Sequence, residues 1–167
     1  MTKTEPILSA PPLAPHSETV RAEWVDYNGH MNVAYYVLIF DRATDVLFDA
    51  IGVGEAYRLS QRRSIFIVEA HVAYVRELRA GDPVRVESQI LGHDDKRLHA
   101  FLRMAHAESG ELAATYEILG LHVDMASRRA APFPEPARAR IGALAAVHAS
   151  HPRPPEAGRG IALRPRN

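Results

Sequence analysis

The longest regular pattern in the chain is a mainly apolar stripe between residues 32 and 52. Its members recur every three or four positions, which is the period of one face of an α-helix. They are Val33, Tyr36, Val37, Phe40, Thr44, Leu47 and Ile51. Asn32 is suited to cap the first turn, and Gly52 is suited to end the helix. The pattern therefore predicts a helix of about 18 residues, or five turns.

The rest of the folded region has the period-two alternation and turn sequences that are typical of β-strands. Strands are predicted at residues 19–24, 64–78, 84–91, 96–107 and 112–125. Short turns such as Gly81-Asp82-Pro83 separate the last four, so these strands are predicted to form a consecutive antiparallel meander. A terminal helix is predicted over residues 136–149.

These elements predict an α+β domain in which one long helix packs on a curved antiparallel sheet of about five strands. The domain is predicted to span residues 18–149. Residues 1–17 are rich in proline and residues 150–167 have a tail-like composition, so both ends are predicted to be flexible. One helix cannot cover both edges of such a sheet, and an open edge favours pairing with a second copy. A homodimer or homotetramer is therefore expected.

Composition restricts the classes of partner and the available chemistry. The 167 residues include 20 basic and 20 acidic side chains, a balance that gives no reason to expect nucleic acid or an anionic membrane as partner. Cysteine is absent, which excludes disulfides and a thiol nucleophile. No run reaches the roughly 18 apolar residues of a membrane helix, and the N-terminus lacks a signal-peptide pattern. A cytoplasmic location is predicted.

The candidate chemistry lies in the polar segment before the long helix, Asp26-Tyr27-Asn28-Gly29-His30-Met31-Asn32. This segment resembles the motif of hot-dog-fold thioesterases of the 4-hydroxybenzoyl-CoA thioesterase type. That motif has an Asp, a Gly three residues later and a Tyr at the start of the long helix. Residues 74–82 resemble a later strand of the same family and its Gly-Asp turn. The resemblance implies the hot-dog fold and hydrolysis of an acyl-CoA thioester to a free acid and CoA.

The resemblance also implies roles for individual residues. Asp26 matches the family's catalytic aspartate, and Val33 matches the residue whose backbone N–H polarises the thioester carbonyl. Because the chain has neither Cys nor a Gly-x-Ser-x-Gly elbow, a carboxylate is the expected base or nucleophile. Asn28 and His30 match an Asn-x-His pattern of plant acyl-carrier-protein thioesterases, which implies that they orient water or stabilise the oxyanion. Holding the turn is their alternative role, and Gly29 is expected to let the backbone turn or approach the ligand closely.

A closer resemblance is to the thioesterases found beside, or fused to, carnitine dehydrogenase, which are associated with betainyl-CoA hydrolysis in carnitine breakdown. Residues 63–72 carry it, together with His122-Val123-Asp124 and residues 128–134. Glu69 and His71 alternate with apolar strand residues and are candidate substrate contacts, a mutual or dimer-interface contact being the alternative. Aromatic rings beside a carboxylate suit a trimethylammonium group. The candidate rings, each with core packing as the alternative, are Trp24, Tyr27, Tyr36 and Phe66.

No cofactor is expected apart from the CoA of the substrate. The nine histidines lack metal-binding spacing, so no metal site is predicted. A hot-dog hydratase is an alternative, but its Asp-x-Asn-Pro-x-His pattern differs here, because Gly29 replaces Pro and His30 comes four residues after Asp26. A non-catalytic protein that binds acyl-CoA is the second alternative.

Overall fold

The computed structural model describes residues 13–163. The elements in chain order are β1 (His16–Thr19), α1 (Val33–Ala50), α2 (Glu55–Gln61), β2 (Arg63–Tyr74), β3 (Pro83–His93), β4 (Arg97–His106), β5 (Leu112–Asp124), β6 (Arg129–Ala130) and α3 (Glu135–His148). Most of the N-terminal segment predicted to be flexible, residues 1–12, lies outside the described residues. Within the described part, no helix combines the length and apolar character needed to cross a membrane.

The strands form one antiparallel sheet in the order β1-β3-β4-β5-β2, and β6 pairs with the end of β5. Helix α1 packs on one face of this sheet, where the ring of Phe40 stacks on that of Tyr116 with centroids 5.1 Å apart. Around them lie apolar residues of β3, β4 and β5, including Val86, Leu102, Met104 and Ile118. The predicted α+β architecture is confirmed.

Helix α1 begins and ends where the sequence predicts. The Asn32 side chain accepts the N–H of Ala34 at 2.9 Å, which is the expected cap. Gly52 follows the helix with a φ of 78°, a conformation that side chains of other residues disfavour. The buried face of the helix contains Tyr36, Ile39, Phe40, Ala43, Thr44, Leu47 and Phe48. Val33, at the open end, is 55% exposed.

The predicted first strand is misplaced. Strand β1 ends at Thr19, and residues 22–24 form a 3-10 turn instead of continuing the strand. Thr19 pairs with Pro83, and Val20 still exchanges backbone hydrogen bonds with Gly81 and Asp82 before the chain turns. The turn lets Trp24 fold back so that its ring stacks on Tyr35 with centroids 5.3 Å apart. Packing of this indole therefore outweighs the local strand pattern.

The predicted meander is only partly correct. Strands β3, β4 and β5 are consecutive neighbours, but β2 pairs with β5 at the far edge of the sheet. The strand predicted over residues 64–78 ends at Tyr74, and residues 75–82 cross to β3 on the other side of β4 and β5. The Gly81-Asp82-Pro83 turn closes this longer connection and is not the tip of a hairpin. Leu78, within the connection, is fully buried.

A bulge in β2 changes the face on which Glu69 and His71 lie. The register shifts between Ile67 and Glu69, with Val68 as the extra residue. One extra residue reverses the alternation of side chains along a strand. Glu69 and His71 therefore lie on the outer face, away from α1, and not with Ile65 on the apolar face as predicted.

The predicted terminal helix is confirmed as α3, and the chain then continues along the outer face of the sheet. We call residues 149–160 the strap. Gln89 of β3 donates to the carbonyl oxygen of Pro152 at 3.4 Å, and Gly158 donates its N–H to Glu117 of β5 at 2.7 Å. Pro154 between them is buried. The strap thus spans the sheet from β3 to β5, while its predicted flexibility stays a prediction.

Candidate active site

The motif before α1 folds into a tight loop. The Asp26 N–H donates to the carbonyl oxygen of His30 at 3.0 Å, and the Gly29 N–H donates to that of Asp26 at 2.9 Å. A β-bridge between Val25 and Met31 closes the base of the loop. Gly29 has a φ of 79°, so a glycine is favoured at this point of the turn. These contacts fix Asp26 and His30 on one rigid turn.

Asp26 has a structural contact and a free oxygen. Its Oδ1 accepts the N–H of Asn28 at 2.8 Å, a local bond that is common for Asp in turns. Within residues 13–163, Oδ2 takes part in no hydrogen bond. Asp26 therefore helps to hold the turn through one carboxylate oxygen, and the other oxygen is available for chemistry.

The N-terminus of α1 lies at the same place. Val33 is the first helical residue, so its N–H has no acceptor inside the helix. The Asn32 cap bonds the next N–H, that of Ala34, rather than that of Val33. An anion near such a helix terminus is stabilised by about 0.3–2 kcal/mol. This arrangement suits the binding of a negatively charged oxygen.

A cleft of 520 Å³ joins the motif to the chain that follows β2. Its lining residues are Asp26, Asn28, His30, Met31, Val33, Tyr36, Tyr74, Val75, Arg76 and Glu77. The structure thus brings together five of the residues singled out in the sequence, including all four that were predicted to be catalytic. Residues 74–77 form the remaining wall, and the sequence analysis named no candidate functional residue among them.

Tyr36 anchors this second wall. Its hydroxyl donates to the carbonyl oxygen of Arg76 at 3.0 Å and accepts the N–H of Leu78 at 3.1 Å. The Met31 N–H donates to the carbonyl oxygen of Leu78 at 2.7 Å. Burial raises the pKa of the Tyr36 hydroxyl, which therefore stays protonated as a donor. A residue predicted as a substrate contact is thus also a structural clamp.

The wall places further functional groups opposite the motif. Glu77 Oε2 lies 3.0 Å from Nε2 of His30. The Tyr74 hydroxyl donates to the carbonyl oxygen of Val33 at 3.4 Å, and Arg76 forms an ion pair with Glu111. No local pattern could reveal these contacts, because they join segments that are distant in the sequence. The family resemblance of residues 74–82 was the one available signal.

Trp24 and Tyr27 do not line the cleft. Trp24 is 4% exposed and belongs to the core, where the guanidinium of Arg21 lies 4.9 Å from its ring centroid. Tyr27, at the tip of the loop, is 97% exposed. Trp24 is thus packed in the core, which was the alternative to a contact with substrate. The predicted contact of Tyr27 with substrate stays a prediction.

Phe66 lies in a second cleft of 520 Å³, beside α1, α2 and the start of β2. Asp45, Phe48 and Arg58 also line this cleft. Burial and the nearby Asp41 raise the pKa of the Asp45 carboxyl. This cleft is separate from the one at the motif, so the predicted contact of Phe66 with substrate stays a prediction.

Glu69 and His71 line a third cleft, of 410 Å³, on the outer face. The same cleft contains His99, whose Nε2 lies 2.7 Å from Glu117 Oε1. The other oxygen of Glu117 accepts the N–H of Gly158 from the strap. Within residues 13–163, no group of three or more His, Asp or Glu residues is arranged to hold a metal ion. The predicted substrate contacts of Glu69 and His71 are thus away from the motif.

Residues 20–141, most of the chain, match the thioesterase-like superfamily. The chain belongs to this superfamily. The prediction of a thioester hydrolase is confirmed at the level of the family, and the motif cleft is the candidate active site of a thioesterase-like protein.

Two curated relatives carry the finer resemblance. The betainyl-CoA thioesterase of Pseudomonas aeruginosa is 40% identical over 153 residues, which are 92% of this chain and 96% of that protein. The L-carnitine dehydrogenase/betainyl-CoA thioesterase of Rhizobium meliloti is 37% identical over 142 residues, which are 85% of this chain and 28% of that longer protein. The predicted resemblance to thioesterases associated with carnitine dehydrogenase is confirmed.

Solved structures support the fold. The protein SAV2348 of Staphylococcus aureus, in complex with CoA, has a TM-score of 0.84 and 31% identity over 90% of this chain and 94% of that chain. A thioesterase-like protein of Pseudomonas putida has a TM-score of 0.79 and 37% identity, and the match covers 93% of this chain and 100% of that chain. The 1,4-dihydroxy-2-naphthoyl-CoA thioesterase of Synechocystis has a TM-score of 0.70 at 19% identity, and the match covers 83% of this chain and 98% of that chain. The predicted hot-dog thioesterase fold is confirmed.

Proposed function

We propose that the protein hydrolyses betainyl-CoA to betaine and CoA, with the reaction centred on the motif cleft. The observation that carries the proposal is the position of Asp26 beside the N-terminus of α1. Within residues 13–163, Oδ2 of Asp26 has no hydrogen-bond partner, and Val33, the first residue of the helix, lines the same cleft. A base and an oxyanion donor are the two groups that thioester hydrolysis needs.

The proposed reaction uses water as the nucleophile. Asp26 removes a proton from water as the water oxygen bonds to the thioester carbon. The Val33 N–H stabilises the charge that develops on the carbonyl oxygen. The carbon–sulfur bond then breaks, its electron pair leaves with the CoA sulfur, and the thiolate takes up the proton that Asp26 removed from water. This route requires side chains, one backbone N–H and water, with no cofactor besides the CoA of the substrate.

The betainyl group is proposed from the relatives and supported by the chemistry of the cleft. The group carries a quaternary ammonium, which binds well to aromatic faces and carboxylates. Two tyrosines, Tyr36 and Tyr74, and two acidic residues, Asp26 and Glu77, are among the lining residues. Arg76, the cation in the lining, is already paired with Glu111. The cleft thus offers negative charge and aromatic surface to a cationic acyl group.

The test is turnover of a panel of acyl-CoA thioesters, followed by detection of the free thiol of CoA. Betainyl-CoA is expected to give the highest kcat/KM in the panel. Hydrolysis of other thioesters but not betainyl-CoA would reject the proposed substrate while keeping the activity. Binding of acyl-CoA without turnover of any thioester would favour the non-catalytic alternative.

A homodimer formed through β2 is also proposed. This strand has 12 residues and pairs along one edge with β5, while its other edge meets no strand of the described residues. Large apolar side chains are exposed on it and just beyond it: Phe66, Val68, Tyr74 and Val75. An open edge of this length favours pairing with a second copy. Light scattering of the purified 18.5 kDa chain should give at least twice that mass, and a monomeric mass would reject the dimer.

A further inference from the structure

A betainyl group holds its positive charge close to the bond that reacts. One methylene carbon separates the quaternary nitrogen from the thioester carbon, which is the N–Cα–C geometry of a peptide, so these two atoms are about 2.5 Å apart. A thioester carbonyl that accepts the N–H of Val33 therefore places the cation beside the first turn of α1. The group that recognises the charge must then lie in the motif cleft, and not in the clefts of Phe66 or Glu69.

Tyr74, the last residue of β2, brings an aromatic ring to this point. Its hydroxyl donates to the carbonyl oxygen of Val33 at 3.4 Å, and its side chain lines the cleft together with Asp26 and Val33. The N–H and the carbonyl group belong to the same residue, so the tyrosine hydroxyl is anchored close to the proposed oxyanion donor. A cation is attracted to a ring when it lies within about 6 Å of the ring centroid. The charge of a betainyl group bound at Val33 is therefore expected within reach of Tyr74.

Tyr74 is also the ring of this cleft that has surface to offer. Tyr36, the other tyrosine in the lining, is 4% exposed, and its hydroxyl already bonds the backbone of Arg76 and Leu78. Tyr74 is 47% exposed. The two rings meet edge to face, with centroids 5.3 Å apart and planes at 84°, so Tyr36 covers at most one face of Tyr74. One face of the Tyr74 ring is thus left for a ligand.

We propose that Tyr74 determines specificity by binding the trimethylammonium group on its ring face, an inference that rests on the proposed hydrolysis of betainyl-CoA. The hydroxyl bond to Val33 fixes the ring beside the position of the thioester carbonyl. Asp26 also attracts a cation, but it becomes neutral when it takes the proton from water. The attraction of the ring is the same before and after this proton transfer. Tyr74 therefore selects the acyl group, and Asp26 acts on the water.

The kinetic test compares betainyl-CoA with 3,3-dimethylbutanoyl-CoA, a neutral isostere in which carbon replaces the quaternary nitrogen. We call the ratio of the two kcat/KM values the charge ratio. Tyr74→Leu should lower the charge ratio roughly 3- to 30-fold, the range expected for loss of a cation–π contact. The kcat/KM for the neutral isostere should change less than about threefold, because leucine keeps an apolar contact. Tyr74→Phe should keep most of the ratio, and the matched control Tyr57→Leu, on α2 and outside the cleft, should keep all of it.

A series of fluorinated phenylalanines at position 74 separates recognition by the ring face from a structural effect. Fluorine draws electron density away from the face of the ring and weakens its attraction for a cation, with little change in the size of the ring. The charge ratio should fall stepwise from phenylalanine to its mono-, di- and trifluoro forms, while kcat/KM for the neutral isostere stays nearly constant. Every member of the series keeps an aromatic ring, so the series remains informative if Tyr74→Leu does not fold. Thermal unfolding of each variant reports whether the fold is retained.

The outcomes are distinct from those of the proposed function. If the wild type hydrolyses no betainyl-CoA, the proposed substrate and this inference are both rejected. If the wild type hydrolyses betainyl-CoA without preferring it to the neutral isostere, the role of Tyr74 is rejected while the proposed function stands. An unchanged charge ratio in folded Tyr74→Leu or across the fluorinated series, or equal losses for the two substrates, would reject the role of Tyr74 in the same way.

Discussion

Two histidine–carboxylate pairs lie in different surroundings, one in the cleft beside α1 and one on the outer face of the sheet. His30 and Glu77 are 3.0 Å apart, and His99 and Glu117 are 2.7 Å apart. The Glu117 side chain is 12% exposed, whereas that of Glu77 is 72% exposed. By distance and burial alone, the outer pair is the better formed of the two.

The difference lies in what surrounds each pair. Both oxygens of Glu117 have partners, His99 and the Gly158 N–H of the strap, so this carboxylate is engaged in holding the structure. Beside the inner pair are Oδ2 of Asp26, which has no hydrogen-bond partner among the described residues, and the N–H of Val33 at a helix terminus. The comparison indicates that available donors and acceptors, rather than the pair itself, distinguish a reactive site from a structural one.

Removal of the charge at the inner site should have the largest effect. Asp26→Asn is expected to lower kcat by about 10²–10⁴, because it removes the proposed base that activates water. Circular dichroism should show an unchanged fold, since Asn can still accept the Asn28 N–H. The matched change on the outer face, Glu117→Gln, should leave kcat unchanged. An Asp26→Asn variant as active as the wild type would falsify the role given to Asp26.

The outer pair should matter instead for the strap. Glu117→Ala removes the acceptor of the Gly158 N–H, and a hydrogen bond to a charged group contributes about 1.5–3 kcal/mol to stability. Trypsin should then cut faster after Arg159, which is an exposed residue of the strap. Equal cleavage rates in the variant and the wild type would show that Glu117 does not hold the strap.

The end of α3, next to the strap, should make stability depend on pH. His148 is buried and its Nδ1 accepts the N–H of Ile90 at 2.9 Å, and burial, together with His151, lowers its pKa. A pKa below the unfolded value of about 6.5 means that the unfolded chain binds the proton first as pH falls. The contribution of His148 to the free energy of unfolding is therefore fully present above about pH 6.5. It declines below this pH by at most about 1.4 kcal/mol per pH unit.

This pH dependence can be measured by urea unfolding at a series of pH values. His122 is also buried with a lowered pKa, so it adds to the same decline. His148→Gln should be less stable at neutral pH but should show a shallower loss between about pH 6.5 and 5. An unchanged slope in this variant would exclude His148 as a source of the dependence.

Local signals predicted the helix and the loop around the inner site well and the outer face poorly. The α1 stripe, its Asn32 cap and the motif are contiguous in sequence, so periodicity and turn chemistry were enough to place them. The bulge at Val68 and the crossing of residues 75–82 depend on which strand becomes the neighbour of β2, and no local pattern encodes that choice. Glu77 was missed for this reason, and Glu69 was placed on the wrong face.

The smallest effect on activity is expected for substitutions of Asn32, the residue before Val33. They test whether Asn32 only caps α1. Asn32→Ala removes the acceptor of the Ala34 N–H and should cost about 1 kcal/mol of stability. Asn32→Ser should restore most of this loss, because a serine hydroxyl caps helices nearly as well. kcat should stay within about twofold in both variants, since the proposed oxyanion donor is the Val33 N–H, which Asn32 does not bond. A large loss of kcat in Asn32→Ala, recovered in Asn32→Ser, would show that the cap also aligns the oxyanion donor, and the inner site would then extend one residue further along the loop.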